Sequence, residues 1–136
     1  MTLDLRHETL TRSVIGAFYD VYNQLGFGFL ENIYTTALEH ELKSRNHSDA
    51  REFGAQVWYK GIPLGTYKLD LVVDETVVLE VKSTRLLPEI VERQLQSYLH
   101  ATSFGIGLLL HFGPKPRFRR LLAEATRGAR RRIAAP

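Results

Sequence analysis

The sequence predicts an α/β domain with a mixed β-sheet flanked by helices, in the element order ααβββαβ. The first third of the chain has two stretches in which apolar residues recur every three or four positions, the period of an amphipathic helix. The middle has three short segments rich in β-branched and aromatic residues, separated by turn residues. The run GIGLLLHF further on is typical of a fully buried strand. A length of 136 residues suits one domain.

Two helices precede the first strand. Over residues 7–25 the apolar positions form one stripe. Gly26 is suited to end this helix, because glycine adopts the left-handed backbone conformation without strain. The second helix follows the link GFGF, carries its apolar stripe from Leu30 to Leu42 and ends near Asn46. Gly28 is expected to serve the turn before this helix.

The three middle strands are predicted over residues 52–59, 66–73 and 76–82. Lys60-Gly61 begins the first connection and Asp74-Glu75 the second, and both pairs are common turn residues.

The next helix is predicted to begin at Pro88, because proline fits the first turn of a helix, and to run to about Thr102. The strand GIGLLLHF then ends at Gly113-Pro114. The segment FRRLL is either a short edge strand or the start of a further helix.

The basic residues are concentrated near the C-terminus. From Lys115 onward there are eight basic residues and one acidic residue, so the rest of the chain carries a net charge of −4. We predict one domain over residues 1–128 and a basic, flexible tail over residues 129–136. Such a tail suggests attraction to phosphate backbones. A solvated tail that only keeps the protein soluble is an equal alternative.

Several classes of site are excluded. The chain has no cysteine, so it forms no disulfide or thiolate metal site, and its five histidines lack the spacing of a zinc site. P-loop, dinucleotide-binding and nucleophile-elbow motifs are absent. No signal peptide and no apolar run long enough to span a bilayer are visible, so we expect a cytoplasmic protein without membrane contact.

The segment VVLEVKS places Glu80 and Lys82 in a strand that is otherwise apolar on both faces. Asp70 is a similar anomaly in the preceding strand. A three-residue loop at positions 74–76 would set Asp70 opposite Glu80, whereas a two-residue loop would put them on different faces. Two carboxylates at such a short distance repel each other unless a positive charge lies between them. Mg²⁺ or Mn²⁺ would supply this charge, with Lys82 beside the ion. The alternative is a cross-strand ion network without a metal.

Four motifs in one order resemble those of a known superfamily. Asp70 and EVK at positions 80–82 resemble the PD-(D/E)XK nuclease superfamily, and QLQSY at 94–98 resembles the QxxxY motif of its RecB-like members. GFLENIY at 28–34 matches the signature of the GxxExxY proteins, a small branch of the superfamily. The resemblance extends from about residue 14 to residue 112.

This resemblance implies a metal-binding catalytic site. Asp70, Glu80 and Glu31 would bind the metal through their carboxylates and Val81 through its carbonyl, while Lys82 would be the catalytic lysine. The alternative role for Glu31 is a helix N-terminal acid that interacts with the helix dipole.

Further residues are implied to bind substrate or to orient the site. Tyr34 would orient Glu31 or touch substrate, although it also fits the core. Gln94 and Tyr98 share one face of their helix. Gln94 would hold Lys82 or a metal-bound water, or contact the nucleic-acid backbone; the alternative is a helix residue that faces solvent. Arg85 and Arg93 are candidate phosphate contacts.

The resemblance implies a hydrolase: a metal-dependent nuclease that cleaves phosphodiester bonds, with DNA expected as substrate before RNA. Two alternatives to this expectation stay open. The first is a nuclease-fold module that binds nucleic acid or a protein without turnover and whose carboxylates form the ion network, and the second is an interaction protein tethered by its basic tail. Cleavage of both strands of a duplex by so small a domain suggests a homodimer.

Overall fold

The computed structural model describes residues 5–123, with side chains from residue 7 onward. The predicted domain end at residue 128 and the predicted tail at 129–136 lie outside this range, so both stay predictions. Within the described part, three helices and five strands follow one another in the order ααβββαββ. Their bounds are α1 Leu5–Leu25, α2 Glu31–Ser44, β1 Asp49–Tyr59, β2 Ile62–Val73, β3 Val77–Lys82, α3 Glu89–Ala101, β4 Ile106–Phe112 and β5 Pro116–Leu122.

The five strands form one mixed sheet in sequence order, β1-β2-β3-β4-β5. Strands β3 and β4 are parallel, because α3 connects them as a crossover, and the other neighbours are antiparallel. Every residue of β4 is buried, as its continuous apolar sequence predicts. The α/β fold class with a mixed sheet is therefore confirmed.

Helices α1 and α2 cover one face of the sheet and form the larger of two apolar clusters. Its centre is Phe112 of β4, whose ring packs edge-on against Phe18 with centroids 4.8 Å apart. The same ring stacks on Tyr34 of α2 at 4.1 Å. These aromatic contacts fix both helices to the C-terminal end of β4.

Helix α3 covers the other face. Leu95 and Leu99 of this helix pack on Val78 of β3 and Leu109 of β4. At Gly107 an added Cβ would lie 3.1 Å from a Leu99 methyl group, so this glycine permits the close approach of helix and strand. The side chains of Glu80, Lys82 and His111 lie on this same face, because they are spaced by even numbers of residues from Val78 and Leu109.

The structure resolves the ambiguous segment FRRLL as part of the edge strand β5 and not as a helix. Strand β1 begins three residues before its predicted start, because residues 49–51 pair with residues 71–73 of β2. Strand β2 begins four residues early, because it continues into an exposed hairpin around Lys60-Gly61. Both turn residues there have positive φ angles, as a tight hairpin requires. Within residues 5–123 no helix is long and apolar enough to span a membrane.

The turn between β2 and β3 has the odd length on which the site prediction depends. Val73 pairs with Val77, so the loop consists of the three residues 74–76. Asp74 holds this loop in place by accepting hydrogen bonds from the Ser48 amide at 2.8 Å and from His47 Nδ1 at 2.7 Å. The other ring nitrogen of His47 lies 2.8 Å from Ser13 Oγ, which links the turn to α1.

We expect Asp74→Ala to destabilise the protein by about 1–3 kcal/mol, because it removes charge-assisted hydrogen bonds from a turn with positive φ angles. Glu75→Ala, in the same turn but exposed, is the matched control and should change stability by less than about 0.5 kcal/mol. Urea unfolding measures both. Equal effects of the two substitutions would show that the Asp74 contacts do not hold the turn.

The pKa of Asp74 lies below its ordinary value, because hydrogen bonds from Ser48 and His47 outweigh the effect of burial. A carboxylate with a lowered pKa stabilises the folded state above the pKa of the unfolded chain, and this contribution is lost as the pH falls. The stability gap between the wild type and Asp74→Ala should therefore narrow below about pH 4. A gap that widens on acidification would contradict this.

Candidate active site

The candidate site begins at Asp70, where β2 separates from β3 and its pairing with β1 is interrupted for one residue. The β2–β3 ladder ends at Leu71 and Leu79, one pair before Asp70 would face Glu80. On the other side, Glu52 lies opposite Asp70 without pairing to it and has a φ of 52°. In place of strand pairing, Asp70 Oδ2 accepts a hydrogen bond from the Val81 amide at 2.7 Å. The Asp70 side chain therefore satisfies the Val81 amide at the point where β2 and β3 separate.

Val81 presents its backbone to the same place. In a β-strand the N–H and C=O of one residue point toward the same neighbouring strand. Because the Val81 N–H is bonded to Asp70, the Val81 carbonyl also points toward the β2 side. Its side chain, by contrast, is fully buried in the cluster beneath α1 and α2.

Glu80 is the buried carboxylate of the site. The residue is only 5% exposed, and it lies on the α3 face of β3 between Val78 and Lys82. Tyr67 Oη donates a hydrogen bond to Glu80 Oε2 at 3.0 Å, whereas Oε1 is buried and has no partner among the described residues. An unpaired buried carboxylate oxygen is unfavourable unless a further donor or cation reaches it.

The electrostatic environment favours protons or cations at the paired carboxylates. Burial, followed by the charge of Asp70, raises the pKa of Glu80 to about 7, despite the opposing effects of Tyr67 and Lys82. Burial also raises the pKa of Asp70, against the lowering effects of the Val81 amide and of Lys82. Glu31 contributes negative charge to both. Three acids therefore generate one strongly negative potential.

Glu31 reaches this region from the first residue of α2. Its Oε2 accepts a hydrogen bond from the Ser83 amide, directly after β3, at 3.3 Å. The preceding link is fixed by Tyr34, whose hydroxyl donates to the Gly26 carbonyl and accepts from the Phe29 amide. Gly28 in this link has a φ of 125°, which favours glycine. The structure thus places Tyr34 in the core, where it orients the link that precedes Glu31.

Lys82 lies beside Glu80. Its Nζ is 3.9 Å from Glu80 Oε2, and its side chain is 29% exposed, so the ammonium lies between the buried carboxylate and solvent. Lys82 also lowers the pKa values of both Asp70 and Glu80. The structure therefore brings the three predicted catalytic residues together, as the three-residue loop requires.

The other predicted residues are divided between the site and the surface. Tyr98 stacks on Tyr67 with ring centroids 3.8 Å apart, and so supports the tyrosine that binds Glu80. Gln94 is exposed on α3 and is not brought to the carboxylates by a direct contact in the structure. Arg85 and Arg93 are exposed and line a groove beside α3.

Tyr67 is a residue that the sequence does not predict for the site. A regular strand puts positions 67 and 70 on opposite faces, so their spacing argues against a shared role. In the structure β2 changes face at Asp70: Leu71 packs beneath α1 and α2, but Leu69 packs beneath α3. Only this irregularity brings Tyr67 to Glu80, and the sequence pattern carries no signal of it.

Comparison with known families decides the relationship of this chain. A family model described as the PD-(D/E)XK nuclease superfamily matches residues 8–121. The chain belongs to this superfamily. Among solved structures, the crystal structure of SSO0001 matches with a TM-score of 0.54 and 21% sequence identity, which supports the fold. The match covers 93% of this chain and 65% of that one, so this chain spans about two thirds of its length. A comparison with curated proteins finds no match.

PD-(D/E)XK nucleases generally use divalent metal ions, and the residues present fit such an ion. The donors are carboxylate oxygens and a backbone carbonyl, which Mg²⁺ and Mn²⁺ prefer, and Glu80 Oε1 has no hydrogen-bond partner among the described residues. Across residues 5–123, no three acidic or histidine side chains already surround a common point. Asp70 and Glu31 each use one oxygen for a backbone amide, which leaves each a second oxygen.

Glu80→Gln should stabilise the metal-free protein at pH 8 by roughly 3 kcal/mol, because it removes a buried charge but keeps an acceptor for Tyr67. A raised carboxyl pKa means that the folded state holds its proton longer, so wild-type stability falls as the pH rises from about 4.5 to about 7. The stability gap should open over this window. Urea unfolding in EDTA measures it, with exposed Glu75→Gln as control; a Gln variant less stable than wild type at pH 8 would refute it.

Proposed function

We propose that this protein is a metal-dependent nuclease that hydrolyses phosphodiester bonds, in DNA before RNA. The observation that supports it most is the buried Glu80 carboxylate, which lies beside Asp70 and Lys82 and has one oxygen without a hydrogen-bond partner in residues 5–123. A structural ion pair would be expected to satisfy both oxygens, whereas a site for a cation keeps one available. The preference for DNA rests on the family resemblance.

Glu31, Asp70 and Glu80 would hold Mg²⁺ or Mn²⁺ together with the Val81 carbonyl. When bound, the ion supplies Lewis-acid polarisation of a phosphoryl oxygen and neutralises charge that develops on it. The role of the three acids is to bind and orient it. Their mutual repulsion in the metal-free protein is then relieved by binding.

Lys82 would act on the substrate directly. It is the one member of the candidate catalytic set with a positive charge, and its partial exposure lets the ammonium reach a phosphate. There it would donate hydrogen bonds to a phosphoryl oxygen or orient the attacking water. Tyr67 and Tyr98 would be positioning residues, because Tyr67 binds Glu80 and Tyr98 packs on Tyr67.

Four finer expectations belong to the same proposal. The GFLENIY signature favours the GxxExxY branch, and QLQSY favours a RecB-like site. We also propose a cytoplasmic location, and a homodimer wherever both strands of a duplex are cut.

Purified protein should cleave labelled single- or double-stranded DNA in Mn²⁺ or Mg²⁺, and RNA more slowly, as measured by gel electrophoresis. Asp70→Asn and Lys82→Ala should each lower the rate by 100-fold or more, since each removes a group expected to act on the reacting phosphate. Exposed Lys60→Ala is the matched control for Lys82 and should keep wild-type activity. Absence of cleavage, or cleavage unchanged by both substitutions, would remove the nuclease proposal.

A module that binds without turnover is the second candidate. It is favoured by the Lys82–Glu80 ion pair and by the absence, among the described acids, of three that already converge. Calorimetric titration with Mn²⁺ separates the two candidates. The nuclease proposal expects binding that Glu80→Gln weakens at least tenfold, whereas no binding, or binding indifferent to that substitution, supports the ion network.

A further inference from the structure

A large open groove of about 1440 Å³ lies between α3 and β5. Its charged lining consists of five basic and two acidic side chains: Arg85, Arg93, Lys115, Arg117, Arg119, Glu89 and Glu92. Its net charge of +3 therefore equals that of the whole chain. The groove is a local concentration of positive charge on a protein that is otherwise nearly neutral.

Strand register connects this groove to the candidate active site. Lys82 of β3 pairs with His111 of β4, and His111 pairs with Arg117 of β5. Paired residues of neighbouring strands have side chains on the same face, so these three form one row across the α3 face. Neighbouring strands are about 4.8 Å apart, which puts Arg117 roughly 10 Å from Lys82 along the row. One strand of nucleic acid advances about 3.4 Å per nucleotide, so that interval corresponds to about three nucleotides.

His111 forms the floor between the two ends of this row. It is buried, and its Nε2 lies 2.6 Å from the Thr84 carbonyl, to which it must donate because a carbonyl only accepts. This hydrogen bond fixes β4 to the segment that follows β3 and carries Arg85. The side of the groove nearest the site is therefore held by the sheet itself.

The basic residues are available to a ligand. Arg93 and Arg117 are exposed, and they lie on opposite walls, one on α3 and the other on β5. Arg119 is partly neutralised by Glu92, with Nε and Oε1 3.4 Å apart. This ion pair is itself exposed, so it adds little stability and competes weakly with a phosphate.

We propose that this groove binds the phosphate backbone of the nucleic-acid strand on one side of the bond that is cleaved. The claim that the bound strand leads to a cleaved bond rests on the proposed nuclease function. The claim that the groove binds a phosphate backbone rests on the groove alone. Guanidinium groups on two opposite walls suit a polyanion that passes between them. The row from Lys82 through His111 to Arg117 gives its path. The ligand class is a polynucleotide backbone, single- or double-stranded.

The test is binding of fluorescein-labelled 20-nucleotide DNA, single-stranded and duplex, measured by anisotropy in EDTA so that metal-dependent cleavage is prevented. The double variant Arg93→Gln/Arg117→Gln should weaken binding at least tenfold in 50 mM salt. It should reduce the slope of log K against log salt by about 1.4 for single strands or about 1.8 for duplex, because two phosphate contacts are lost. The form of DNA with the larger loss is the one that the groove accommodates.

The matched control is Arg12→Gln/Lys60→Gln, which removes the same charge from exposed positions outside the groove. It should change affinity by less than threefold and leave the slope within about 0.5 of wild type. Equal losses of DNA affinity in the two double variants would overturn the groove proposal, even if the wild type cleaves DNA. Groove-dependent binding by a protein that does not cleave would instead support the groove and count against the nuclease proposal. Thermal unfolding of all variants confirms that they fold.

Discussion

The hydrogen bond from the Val81 amide to Asp70 is the contact on which the site depends. It replaces a backbone ladder bond at Asp70, where β2 pairs with neither neighbour. Because the side chain takes over a backbone acceptor's role, the strands separate without leaving a buried amide unsatisfied. The separation lets β2 change face, so that Leu69 and Tyr67 move to the α3 side. One aspartate thus both ends the pairing and supplies a carboxylate beside Glu80.

The site opposes the stability of the fold around it. Glu80 is placed in a strand whose other residues at positions 77–81 are fully buried and apolar, and Asp70 and Glu31 add negative charge nearby. Lys82 and Tyr67 offset this repulsion only in part, because the pKa of Glu80 remains near 7. The surrounding core supplies the compensation: β4 is buried throughout, and Phe112 fixes both α1 and α2 to it. Carboxylates are more stable in water than in a buried site, and the packing of a rigid apolar core can offset this cost.

The sequence predicts the parts of the site that follow periodic rules. The two charges in VVLEVKS and the odd loop of residues 74–76 together indicate where Asp70 and Glu80 meet, and the Val73–Val77 pairing confirms that register. Tyr67 is missed because its position follows from a break in the two-residue period, not from the period itself. The early start of β2 is missed because its hairpin with β1 is exposed and includes proline and glycine. The early start of β1 is missed because Asp49 and Ala50 are residue types that are depleted in strands. FRRLL stays ambiguous in sequence because an edge strand exposed to solvent has little apolar alternation.

The groove extends the same geometric argument beyond the carboxylates. In a sheet, the register decides which residues of neighbouring strands lie side by side, and the alternation of side chains decides the face on which they lie. Lys82 and Arg117 therefore lie in one row on one face, although 35 positions separate them in sequence. Glu80 of the site and the cations of the groove therefore occupy neighbouring parts of one face. A polyanion approaching that face meets repulsion at the carboxylates and attraction at the groove. In the proposed nuclease, the groove would provide affinity that is independent of the metal, while the metal would let one phosphate lie beside Glu80.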